Sequence, residues 1–62
     1  MREWLIKARK EKSMSQTEVA KQVGISQPAY CDIENGKMSP KPSNAHKIAD
    51  ILNIEWTRFY EQ

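Results

Sequence analysis

The sequence predicts an all-α fold, a compact bundle of five helices, and three observations carry that prediction. Apolar residues recur at three- and four-residue intervals, and no strand-like alternation is visible anywhere in the 62-residue chain. Between Met14 and Gly36 two helix-start and two helix-stop signals follow one another in order. The prolines, Pro28, Pro40 and Pro42, fall only in loops or where a helix can begin.

The first helix should run from about Arg2 to Lys12, with Leu5 and Ala8 facing inward and Trp4 along its edge. The second starts at Ser15, whose hydroxyl can accept the Glu18 N–H while the Glu18 carboxylate reaches back to the Ser15 N–H, a capping box. Met14 and Val19 take the two positions of a hydrophobic staple, and Gly24 can adopt the left-handed conformation that ends a helix. The third helix repeats these signals, with Ser26 as N-cap, Ile25 and Tyr30 as staple and Gly36 as stop. Pro28 is tolerated there because a first-turn N–H has no intrahelical acceptor to lose. Ala45, Ile48, Ala49 and Leu52 form the apolar stripe of a fourth helix, for which Lys41 and Ser43 are rival caps. Trp56, Phe59 and Tyr60 mark a short fifth helix.

Val19, Ala20 and Val23 line one side of the second helix, and Tyr30 and Ile33 line one side of the third, so the two faces meet. Ala20 allows a close crossing, and Gly24 allows the sharp turn. This is a helix-turn-helix, spanning about residues 16–35, a unit whose second helix can enter the DNA major groove. Gln27, Pro28, Cys31, Asp32 and Asn35 are left pointing outward. Arg9 and Glu34 flank the inner faces of their helices, and opposite charges on facing surfaces invite an ion pair that offsets their desolvation.

Ser15-Gln16 with Ala20, Gly24, Ser26-Gln27 and Ile33-Glu34-Asn35-Gly36-Lys37 resembles the phage Cro and cI-type repressors and the related Xre regulators. The resemblance covers Leu5 to Phe59 and is most specific from Gln16 to Lys37. Two positions depart from it: Ser13 stands where the family usually has glycine, and Ala45 where it has a large aliphatic. The resemblance implies a lambda-repressor-like fold, a structural contact between Arg9 and Glu34, a phosphate contact from Gln16, and a base contact from Gln27, with the two glutamines touching.

Chemistry gives several of these roles a mechanism. The Gln27 amide offers the donor and acceptor that match N7 and N6 of adenine. Asp32 can accept from cytosine N4, a solvated or water-bridged side chain being the alternative. Pro28 and Cys31 can pack on thymine methyls, or serve simply as first-turn and filler residues. Ser26, Asn35, Lys37 and Lys41 lie at helix ends or in the following loop, where phosphates would run. Trp56, Phe59 and Tyr60 read as core or interface aromatics. A domain this small cannot bury all of them with Trp4, so together with the loop from Lys37 to Pro42 they are the expected dimer contact.

Composition sets the outer limits. A single domain over residues 1–62, 39% hydrophobic and 29% charged, is ordinary globular material with one modest core. Its net charge of +2 leans weakly toward an anionic partner, with Arg2, Lys7, Arg9, Lys10 and Lys12 before the motif and Lys37, Lys41 and Lys47 after it. One cysteine rules out an internal disulfide and, with the lone His46, a familiar zinc cluster. No apolar run approaches the roughly 20 residues of a membrane span, and no signal peptide is expected, so the expected location is cytoplasmic. No phosphate loop, activated nucleophile or carboxylate pair suggests catalysis, and no cofactor is expected. The expected function is sequence-specific binding of double-stranded DNA as a homodimer on a palindromic site, repressing transcription, with no small-molecule ligand. An antitoxin or adaptor that acts through protein contacts is the alternative.

Overall fold

The computed structural model describes residues 1–61. It contains α1 (Glu3–Glu11), α2 (Gln16–Val23), α3 (Gln27–Asn35), α4 (Pro42–Leu52) and a 3-10 helix (Trp56–Tyr60), with no strand among the described residues. α2 packs on α3 and α4, α1 packs on α3, and the 3-10 helix closes against α4.

The local signals account for these boundaries. Ser15 Oγ accepts from the Glu18 N–H at 3.1 Å and the Ser15 N–H donates to Glu18 Oε1 at 2.9 Å, so the capping box is complete. Ser26 Oγ accepts from the Ala29 N–H at 3.2 Å at the start of α3. Gly24 and Gly36 end α2 and α3 with φ of 92° and 80°, a region where a Cβ is penalised. For α4 the N-cap is Lys41, which makes no side-chain bond; Pro42 opens the helix in its place as the first helical residue.

One core joins all five elements: Leu5 and Ala8 from α1, Val19, Ala20 and Val23 from α2, Tyr30 and Ile33 from α3, Ala45, Ile48 and Leu52 from α4, and Phe59. Met14 and Ile25, the outer halves of the two staples, pack against its edge. Each large aliphatic side chain buried here contributes about 1.5–3 kcal/mol relative to exposure.

Three expectations change. α1 is one residue shorter at each end, because Arg2 precedes it as N-cap and Lys12 follows it as C-cap. The fifth helix is a 3-10 turn of five residues, too short for an α-helix to offset its nucleation cost. Phe59, expected at a dimer contact, is a core residue, only 3% exposed and edge-on to Trp4 at 5.2 Å between ring centres. A turn this short must anchor itself with one side chain, and Phe59 is the one aimed inward.

Ser13, which joins α1 to α2, has a φ of 56°, the left-handed conformation that favours glycine. Ser13→Gly removes a penalty of about 1–2 kcal/mol and returns part of it as unfolded-state entropy. The expected net gain is about 0.5–1 kcal/mol, read as a raised urea midpoint at unchanged slope.

Candidate nucleic-acid interface

The starts of α2 and α3 meet at one corner of the molecule, and a chain of polar side chains runs into that corner from the interior. Its inner end is Glu34, which is 1% exposed. The Arg9 guanidinium grips it with Nε to Oε2 at 2.6 Å and Nη2 to Oε1 at 3.3 Å, the one ion pair among the described residues. Arg9 also donates to the Met14 carbonyl at 2.9 Å, tying the segment ahead of α2 to the same pair. Gln16 Nε2 donates to Glu34 Oε1 at 2.9 Å, and Gln27 Nε2 donates to Gln16 Oε1 at 2.7 Å. A buried charge is thus connected through two amides to the first residue of α3.

Electrostatics follow from this packing. Burial pushes the Glu34 carboxyl up, yet the hydrogen bonds from Arg9 and Gln16 outweigh it and hold the group below its ordinary value. The hydrogen bond to Glu34 raises Arg9 against the opposing effect of its own burial. Burial, and then the adjacent carboxylate, push the Tyr30 phenol far above its ordinary value. Its hydroxyl sits beside Glu34 without forming a bond of ordinary geometry.

Outward of this chain lies the free face of α3. Pro28 is exposed, while Gln27, Cys31, Asp32 and Asn35 are half-buried along the helix. Asn35 folds back, donating from Nδ2 to Cys31 Sγ at 3.3 Å, so its side chain lies along the helix it terminates. Ser26 is engaged as a cap, and Lys37 and Lys41 are exposed on the loop that follows. Gln16 keeps one N–H free, because its other amide hydrogen and its oxygen are already bonded.

Arg2, which the sequence places among the cations bordering the motif, is tied into the fold instead of standing free. Its guanidinium turns inward and donates to the carbonyls of Ile33, Met38 and Phe59 and to Ser39 Oγ, while its backbone N–H donates to the Glu34 carbonyl at 2.6 Å. These bonds pin the last turn of α3, the loop after it and the 3-10 helix to one side chain. No local pattern signals this, since its partners lie more than thirty positions along the chain.

The remaining aromatics form a second surface. Trp56 is half-buried and packs on His46 at 4.2 Å between ring centres, with Tyr60 edge-on at 5.9 Å. Tyr60, 43% exposed, donates through its hydroxyl to the Pro40 carbonyl at 2.6 Å. Trp56, Tyr60 and the loop after α3 are therefore one continuous surface, from which Phe59 is absent.

Comparison with known proteins agrees with this architecture. A helix-turn-helix family model matches residues 5–59. The chain is 44% identical over 61 residues to YqaF of Bacillus subtilis, an uncharacterised HTH-type transcriptional regulator, covering 98% of this chain and 80% of that protein. It is 43% identical over 47 residues to the ImmF control region 10 kDa protein of Bacillus phage phi105, covering 76% of this chain and 52% of the phage protein. No solved structure matches.

Proposed function

This chain belongs to the helix-turn-helix family of Cro/cI-type DNA-binding transcriptional regulators, and from that membership we propose that it is a repressor binding a palindromic duplex operator as a homodimer. The observation that carries the reading is the corner where α2 and α3 begin. There Gln16 and Gln27 are hydrogen-bonded to each other and anchored on a buried carboxylate, so the first residue of α3 is held in place before any DNA arrives. In this reading α3 lies in the major groove. Gln27 pairs with a base, Pro28 and Cys31 contact thymine methyls, and Asp32 accepts from cytosine. Gln16, Ser26, Asn35, Lys37 and Lys41 hold phosphates, Ser26 through its place at the start of α3 because its hydroxyl is engaged as a cap, and Asn35 through the amide hydrogen not given to Cys31. The setting is the cytoplasm, where an operator is accessible.

Size argues for two copies. The longest dimension of the domain is 26 Å, so one copy covers one half-site, whereas palindromic half-sites lie about 34 Å apart. Trp56 and Tyr60, with the loop from Lys37 to Pro42, form the contact between copies. A patch of a few hundred Å2 falls below the roughly 800 Å2 per partner of a stable interface, so the free protein is mostly monomeric and DNA completes the dimer.

Sedimentation of the protein alone and with a duplex selected from a random library checks this. The expected result is a monomer when free and two subunits per site at saturation, with affinity falling steeply as salt rises. One subunit per site, or undiminished affinity for an isolated half-site, contradicts it.

A further inference from the structure

Resting on the reading of α3 as the base-contacting helix, we propose that Glu34 is a positioning residue that makes the Gln27 contact prefer adenine over guanine, by fixing which end of each glutamine amide faces which neighbour. An ionised carboxylate is an acceptor only. Glu34 is ionised, since Arg9 is bonded to both of its oxygens. The Gln16 group that faces it at 2.9 Å must therefore be the amide NH2. That leaves the Gln16 oxygen facing Gln27, and an oxygen there requires the Gln27 NH2 opposite it, which is the 2.7 Å bond observed. One charge thus sets the direction of both amides, independently of how similar amide nitrogen and oxygen are in shape.

Direction decides what remains for DNA. With one N–H of Gln27 given to Gln16, the side chain presents one N–H and its carbonyl oxygen, which match N7 and the N6 amino group of adenine. If both amides reversed, the Gln27 oxygen would face Gln16 and its NH2 would present two donors outward, which match N7 and O6 of guanine. The buried pair therefore excludes the arrangement that would read guanine. The hydrogen-bond chain also couples the ion pair of the core to base choice, two features that sequence spacing leaves unconnected.

The test uses duplexes selected from a randomised library by the wild-type protein near neutral pH, then resynthesised with A·T exchanged for G·C at each position. The wild type should prefer adenine by about tenfold or more at one position in each half-site, and Gln27→Ala should erase that preference there. Gln16→Met breaks the chain while leaving both Arg9 to Glu34 bonds in place, so the protein stays folded. It should reduce the preference for adenine over guanine to within about threefold, whatever happens to overall affinity. Glu34→Gln, where it folds, should do the same, because an amide at that position can both donate and accept. A tenfold adenine preference retained in folded Gln16→Met overturns the proposal while leaving DNA binding intact. A wild-type protein that selects no sequence at all overturns the reading on which the proposal rests.

Discussion

Glu34→Gln should cost about 3–5 kcal/mol of folding free energy, because it leaves the Arg9 guanidinium in a partly buried site facing an amide that cannot return its charge. The loss extends beyond one contact. Arg9 also holds the Met14 carbonyl, and Glu34 holds Gln16, so the joint between α1 and α2 and the approach of α2 to α3 both depend on this carboxylate. For a domain of 62 residues the whole stability is only about 3–9 kcal/mol, so the variant should lose a third or more of it and melt well below the wild type. Proton linkage gives the same group a second signature. Its carboxyl is held low in the fold, so its contribution is complete above the unfolded value of about 4.3 and disappears as the pH falls through the folded one. Wild-type stability should therefore drop on acidification below about pH 4, and this part of the slope should be missing in Glu34→Gln. A variant that melts at the wild-type temperature at pH 7 contradicts the account of the pair.

Arg2→Ala should cost about 2–4 kcal/mol, a large effect for a residue that precedes the first helix. Charge-assisted hydrogen bonds contribute about 1.5–3 kcal/mol each, discounted here because part of the guanidinium is exposed. The Ile33 carbonyl lies in the last turn of α3, where the Gly36 N–H reaches it only at 3.3 Å, and without Arg2 it loses its charged donor. Arg2→Lys should recover little, since a single ammonium cannot reach Ile33, Ser39 and Phe59 together. Because Lys37 and the loop after α3 hang on the same side chain, DNA affinity should fall with stability. Urea unfolding of both variants measures the cost; a loss under about 1 kcal/mol from Arg2→Ala contradicts the clasp.

What the sequence made legible was local in origin. Ser15 with Glu18, Ser26, Gly24 and Gly36 signal helix ends through contacts within a few residues, and the three- and four-residue spacing of Val19, Val23, Tyr30, Ile33, Ile48 and Leu52 identifies the buried stripes. Contacts across the chain were less legible. Arg2 reads as a border cation because nothing near it hints at carbonyls brought close only by folding. Phe59 and Tyr60 are neighbours with the same aromatic character, and only the turn of the 3-10 helix sends one into the core and the other to the surface. The bond from Asn35 to Cys31 has i to i+4 helix spacing but pairs residue types that seldom announce each other. The meeting of Gln16 and Gln27 was implied by resemblance to the repressors. Its continuation to Glu34 required knowing where α3 ends relative to α2.

The measurement that tests the central claim most directly compares Gln27→Ala with wild type on the selected operator and on random duplex under the same salt. The account predicts a loss of about 1–3 kcal/mol on the operator, roughly 5- to 150-fold, and a much smaller loss on random DNA, because a base contact carries sequence information and a phosphate contact does not. Equal losses on both duplexes, or none on either, would show that α3 does not read sequence through Gln27.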